Sequence, residues 1–264
     1  VWAKDGLRNG RFSGGEPTTH PGLCDIIKFA ELTRPDHIAI STSGSADPEY
    51  YRTLVELGVN DFSISLDACC ATDFGKMSGG NKQFEKVIEN IKMLSALSYV
   101  TIGLVVTPDN IESAVNTIKF ASRLGVADIR VIPSAQWNQM IGFAEQIPVG
   151  ILDKHPILRY RMQNIRKGHH VRGLTEADSH KCHLLQDDSV VIGKHHFPCV
   201  IWAREMGEPI GEVCSRMREE RYEFYKRFDP HKHEICRKNC LDVCIDFNNR
   251  CDYFSFQRSK GVTV

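Results

Sequence analysis

The chain has 264 residues, 42% of them hydrophobic and 25% charged, and its 33 Lys plus Arg balance 33 Asp plus Glu. That length suits one large α/β domain, or a domain of about 150 residues with an appendage. Charge neutrality removes any bulk drive toward nucleic acid or an anionic membrane, and no run of about 18 apolar residues offers a membrane span. No secretory signal is read at the start, so the expected location is cytoplasmic.

Taken in order, residues 7–133 alternate between strand and helix patterns. LRNGRFS (7–13) reads as a short strand, and PGLCDIIKFAELT (21–33) as a helix with Pro21 near its first turn. HIAIST (37–42) is the next strand. ADPEYYRTLVELG (46–58) is a helix with Asp47 as N-cap, Pro48 at the first helical position and Gly58 at its end. DFSISLDA (61–68) is a strand, and NKQFEKVIENIKMLSAL (81–97) a helix with Phe84, Val87, Ile88, Ile91 and Leu94 on one stripe. VTIGLVVT (100–107) suits a parallel strand buried on both faces. NIESAVNTIKFASRLG (110–125) is a helix and ADIRVIP (127–133) a strand. Five strands with helices between them argue a parallel sheet of right-handed βαβ units. The polar stretches SGGEP, STSGS, SLDA, TPDN and PSAQ each follow a strand, the end where α/β sheets carry their sites.

Beyond about residue 150 the pattern changes. HPILRYRMQNIRKG (155–168) reads as one more helix, and DDSVVIGKHHFPCVIWA (187–203) as a β-hairpin turning near Gly193 to His195. SRMREERYEFYKRF (215–228) is a charged helix, read as a solvated amphipathic one. The expected boundaries are residues 1–150 for the first domain and 151–264 for the second. Seven of the ten cysteines lie after residue 180, and no secretion signal accompanies them, which favours metal ligands over disulfides. Cys236, Cys240 and Cys244 recur at helical spacing among Arg237, Lys238, Asn239 and Asp242, a poor setting for buried free thiols. Thiolates serve iron–sulfur clusters and structural zinc alike. The pairs His169–His170 and His195–His196 read as solvated loop residues, and the adjacent Cys69 and Cys70 as packing. Arg130 either faces the active side of the last strand and holds a substrate anion, or makes a structural ion pair.

SGGEPTTHPG, STSG, SISLDA, SGGNKQFEKVIENIKML and VVTPDN, in this order and at these intervals, resemble the radical S-adenosylmethionine (radical SAM) enzymes over roughly residues 5–135. The resemblance implies a partial (β/α)6 TIM-like barrel followed by a small cysteine-rich α+β domain. It also implies a [4Fe–4S] cluster that donates an electron to SAM, and a 5′-deoxyadenosyl radical that abstracts a substrate hydrogen. Gly14, Gly15, Glu16 and Pro17 match the loop whose backbone receives the methionine ammonium. Thr42, Ser43 and Gly44 match the end of the next strand. Ser65 and Asp67 match the motif that meets the ribose, and Lys76 stands where many members place an Arg for the SAM carboxylate. Asn110 matches the polar residue after strand five of that family.

In the family, a Cys-x3-Cys-x2-Cys loop binds the SAM-cleaving cluster ahead of the GGEP loop. Here thirteen residues precede Gly14 and none is cysteine. Either the first βα unit lies outside this chain, with the cluster ligands upstream, or the chain is a relative without the chemistry. The start without Met favours the first. The cysteine-rich end resembles the auxiliary-cluster domains called twitch or SPASM, which implies ligands among Cys182, Cys199, Cys236, Cys240 and Cys244. The implied partners are a peptide, sugar or nucleotide substrate and a flavodoxin- or ferredoxin-like electron donor. Neither nucleic acid nor membrane is expected. The opposing reading is a non-catalytic scaffold with structural zinc at the C-terminal cysteines.

Overall fold

The structure, a computed structural model, describes residues 6–80, 83–134 and 142–260. The opening residues, the start of the 81–97 pattern and the second half of PSAQ lie outside the described residues. The chain forms two compact units, Trp2–Gly168 and His169–Val264.

The first unit runs β1 (Asn9–Phe12), α1 (Leu23–Glu31), β2 (His37–Thr42), α2 (Pro48–Glu56), β3 (Asp61–Ser65), α3 (Ala71–Met77), α4 (Phe84–Leu97), β4 (Tyr99–Val106), α5 (Ile111–Arg123), β5 (Asp128–Pro133), α6 (Val149–Lys154) and α7 (Pro156–Arg166). The five strands are all parallel and lie in chain order. Sequential right-handed crossovers put every helix on the same side of such a sheet, the geometry of a partial β/α barrel rather than a doubly wound fold. The packing agrees, with α1 against β2, α4 and α5 against β4, and α5 and α7 against β5. Ile40, Phe62, Ile64, Ile102, Ile129 and Val131, all 0% exposed, form the helix-facing core.

The opposite face of the sheet is polar and carries Arg11, Ser41, Ser63 and Arg130. Arg11 bonds Ser41 Oγ at 3.2 Å and Asp61 at 2.9 Å, and Arg130 bonds Ser63 Oγ at 2.9 Å. Strand β4 therefore departs from the expectation of burial on both faces. Val100, Ile102, Leu104 and Val106 are buried, whereas Tyr99 and Val105 on the other face are exposed.

Local chemistry explains the element ends. Asp47 Oδ1 accepts the Glu49 N–H at 2.9 Å and Pro48 opens α2, as its sequence predicts. The boundary expected near residue 150 is displaced. Asp128 on β5 is wholly buried, and its carboxylate accepts N–H groups from Ile157 at 2.9 Å and Leu158 at 3.3 Å. Those are the unpaired amides of the first turn of α7. His155, just before that helix, bonds Ser122 Oγ at 2.9 Å. Both contacts fasten α7 to the sheet, and the compact units divide after Gly168.

The second unit contains α8 (Leu184–Asp187), β6 (Val190–Ile192), β7 (His195–Phe197), α9 (Val200–Arg204), β8 (Gly211–Glu212), α10 (Met217–Arg227), α11 (Glu234–Asn239) and α12 (Asp242–Ser259). The hairpin β6–β7 is antiparallel and turns through Gly193 and Lys194, and β8 adds a third strand. Among the described residues the fully buried apolar cluster of this unit is small, Leu185, Trp202 and Phe228, with Phe197, Phe224 and Ile235 packed against it. One expectation fails here. His196 is 0% exposed and bonds Glu220 at 3.1 Å, so it is no solvated loop residue. Helix α10 buries Met217 and Arg221, four residues apart on one face, as an amphipathic helix does.

Candidate functional site

The sheet's C-terminal edge gathers most of the residues singled out in the first unit. The glycine-rich loop follows β1 and turns into a single 3-10 turn at Pro17–Thr19. The Glu16 carboxylate organises it. One oxygen accepts the hydroxyls of Thr18 and Thr42, each at 2.7 Å, and the other accepts the Ser43 N–H at 2.7 Å. Burial alone would raise the Glu16 pKa, but the Ser43 N–H and the hydroxyls of Thr42, Ser43 and Thr18 outweigh it and hold the carboxyl below its ordinary value. Glu16 thus ties the β1 loop to the end of β2 as an anion. Thr42 is buried between Glu16 and the Tyr51 hydroxyl, 2.8 Å away, so its side chain serves the loop. Pro17 is buried beneath it.

The glycines differ in purpose. Gly44 has φ +78°, and a Cβ there would lie 2.8 Å from Ile64 Cγ2, so packing demands glycine. Gly14 and Gly15 are exposed, and a Cβ on either would meet nothing within 4 Å. Their absent side chains leave the space before the backbone open for close approach by a ligand.

The ends of β3 and β4 are stapled together. Asp67 Oδ1 accepts the Val105 N–H at 2.7 Å. Asn110, 5% exposed, donates to the carbonyls of Val105 at 2.9 Å and Asp67 at 3.4 Å, and accepts the Thr107 N–H at 2.8 Å. Burial pushes the Asp67 pKa up, with the Val105 bond acting against it. Ser65 is exposed as the last residue of β3. Lys76 on α3 is exposed and paired with Asp73 at 3.0 Å.

In the second unit, Cys182, Cys199, Cys236, Cys240 and Cys244 line one cavity of about 40 Å³ with Trp202. That is the full set singled out from the sequence. Cys182 precedes α8 and Cys199 caps α9. Cys236 lies in α11, Cys240 ends it, and Cys244 lies in the first turn of α12. Burial pushes the Cys182 thiol up to about 12 and raises Cys199 and Cys236 as well. Cys240 is raised and Cys244 lowered, first by the hydrogen bond between them. Leu184, Ile235 and Ile245 complete much of the wall. Asp178, Ser179, Asn248 and Asn249 also line it. Among the described residues no three His, Cys, Asp or Glu groups converge tightly enough to hold a single metal ion.

The other cysteines stand apart from this cavity. Cys214 bonds Glu220 at 3.6 Å and Cys24 bonds the Tyr50 hydroxyl at 3.8 Å. Cys70 is exposed beside Asp73 rather than packed. Two neighbours of the cavity escaped sequence reasoning. Asn248 lines it and holds the Cys182 turn, accepting the His183 N–H at 2.7 Å. Arg221 is buried with its guanidinium on the backbone of that same turn. Only its spacing from Met217 hinted that it faces inward.

A parallel sheet with a glycine-rich loop after its first strand and polar staples at the next strand ends defines a partial β/α barrel with an edge open to a ligand. Residues 2–121 match the family model of the radical SAM superfamily. A probable GTP 3′,8-cyclase of Saccharolobus solfataricus is 30% identical over 134 residues, covering 50% of this chain and 43% of that protein. One of Sulfurisphaera tokodaii is 29% identical over 177 residues, covering 61% of this chain and 56% of that protein. The chain thus spans about half the length of these relatives. Among solved structures, native anSMEcpe with bound AdoMet aligns over 96% of this chain and 82% of its own, with TM-score 0.57 and 16% identity, a likeness of fold. Among the described residues no helix is long and apolar enough to cross a membrane.

Proposed function

We propose that the protein cleaves SAM reductively at the edge formed by the β1–β4 ends and removes a hydrogen from a peptide, sugar or nucleotide. An auxiliary iron–sulfur cluster in the five-cysteine cavity completes the reading. The observation that carries it is the open backbone at Gly14 and Gly15, fixed by Glu16 beside the ends of β2 and β3. In this reading that backbone seats the methionine end of SAM. The Ser43 and Ser65 side chains border the ribose, while Asp67 and Asn110 hold the loop beneath it. Lys76 leaves Asp73 to meet the carboxylate as a point charge. Bound SAM and its cluster supply the radical chemistry, and the protein supplies orientation and shelter from water. None of the ten cysteines forms a Cys-x3-Cys-x2-Cys run, so these residues provide the SAM seat and not the ligands of the cleaving cluster.

Arg11 and Arg130 on the polar sheet face suit an anionic substrate, and the relatives named as GTP 3′,8-cyclases favour a nucleotide among the substrate classes. The test is anaerobic reconstitution, with iron and sulfide, of the protein carrying the cluster-binding segment expected ahead of the Gly14 loop, then incubation with SAM and dithionite. 5′-Deoxyadenosine is expected, and its formation should drop at least tenfold in Gly15→Val. Stoichiometric zinc with no 5′-deoxyadenosine would establish the scaffold reading instead.

A further inference from the structure

Arg221 has an unusual environment for a buried cation. It is 5% exposed, and its guanidinium donates to four backbone carbonyls: Leu185 at 3.0 Å, Phe197 at 2.8 Å, Pro198 at 3.4 Å, and Asp188. None of these acceptors is a carboxylate. A guanidinium taken from water without an ionic partner is costly unless a counter-charge stands nearby. The Asp188 carboxylate supplies one such counter-charge through space while accepting the Ser189 N–H at 2.8 Å.

The acceptors lie on the segments of Cys182 and Cys199, whose thiols also act on Arg221 through space. Leu185 closes the turn that begins at Cys182, its N–H donating to the Cys182 carbonyl at 3.1 Å. Phe197 and Pro198 lead directly into Cys199. Arg221 therefore clamps the two segments that deliver Cys182 and Cys199 to the cavity. Among the described residues no Lys, Arg or His side chain lines that cavity, whereas Asp178 does.

We infer that Arg221 is the cationic partner of a thiolate-held iron–sulfur cluster in this cavity, and that its charge sets how readily the cluster accepts an electron. The inference rests on the auxiliary-cluster reading above. Four thiolates leave a [4Fe–4S] cluster with a net negative charge that grows on reduction. A fixed buried cation stabilises the reduced form more than the oxidised one, and net charge and burial are the protein's levers on such potentials. Arginine suits this place because its fork engages several carbonyls at once while keeping its charge, which lysine cannot reproduce.

The experiment is a mediated redox titration of the anaerobically reconstituted protein, following cluster absorbance and the EPR signal of the reduced state, with iron and sulfide measured in each sample. Arg221→Met should retain cluster iron but shift the reduction equilibrium at least tenfold toward the oxidised form, which is about 59 mV for one electron. Arg221→Lys should stay within threefold of wild type while melting at a lower temperature, because charge remains and the clamp is lost. Asp188→Asn should shift the equilibrium the opposite way, and it decides the matter if Arg221→Met does not fold or load. Equal potentials in wild type and Arg221→Met at equal iron content would overturn the inference. So would a fall in Arg221→Lys as large as in Arg221→Met, or no shift in Asp188→Asn where that variant must decide. Wild-type protein that binds no iron and sulfide at these cysteines would instead sink the cluster reading itself.

Discussion

Glu16→Gln separates a carboxylate that builds the glycine loop from one that binds a ligand. The amide keeps one acceptor oxygen, enough for the hydroxyls of Thr18 and Thr42. Its NH2 group then faces the Ser43 N–H, donor against donor, where the carboxylate oxygen stands at 2.7 Å. A hydrogen bond to a charged group is worth roughly 1.5–3 kcal/mol net, and water reaches part of this site, so about 2 kcal/mol is expected. For a unit of this size that lowers the melting temperature by about 4–8 °C. Urea denaturation and thermal melting followed by circular dichroism measure both quantities. The Glu16 pKa is lowered in the fold, so its contribution is present above the ordinary glutamate range and is lost as pH falls through the folded value. The wild-type advantage should therefore shrink in acid. Unchanged stability together with lost SAM turnover would refute the reasoning and make Glu16 a ligand.

Asp67→Asn should be neutral or stabilising at pH 7, since the amide oxygen still accepts the Val105 N–H and no buried charge remains. Because the Asp67 pKa is raised, its favourable contribution holds below the ordinary aspartate range and fades as pH climbs through the folded value. The gain from Asp67→Asn should thus grow with pH in stability curves. Gly44→Ala should cost about 1–3 kcal/mol through the Ile64 clash and positive φ, whereas Gly15→Ala should leave the urea midpoint unchanged or slightly higher and weaken SAM turnover. Chelating iron under reducing conditions should unfold the second unit before the first, as read by hydrogen exchange, because the buried apolar cluster among its described residues is small, centred on Leu185, Trp202 and Phe228. Cluster reloading should improve with rising pH, since the raised thiols of Cys182, Cys199 and Cys236 must release protons to ligate.

The first unit was legible because each signal was local. Periodicity marked the helices, Asp47 and Pro48 marked a helix start, and the glycine loop marked a strand end. What the sequence could not show was how the polar residues divide their work. Glu16, Thr42, Asp67 and Asn110 read alike as ligand candidates, yet three-dimensional pairing makes them supports for one another, and leaves the backbone of Gly14 and Gly15 open. In the second unit the five cysteines were readable from type and spacing, but their convergence depends on turns at Cys182 and Cys199 that no periodicity encodes. His196 was misread as solvated for the same reason. Charged residues in short elements look solvated until a small core folds over them.

The buried Asp128 cap on α7 has a consequence for dissecting the protein. A recombinant first unit ended at residue 150 would strand that carboxylate in an apolar wall, without the Ile157 and Leu158 amides that receive its charge. The edge strand β5 would also lose the cover of α7. A piece cut there should aggregate, while one ended after Gly168 keeps cap, helix and strand together and is the fragment a protease should leave behind.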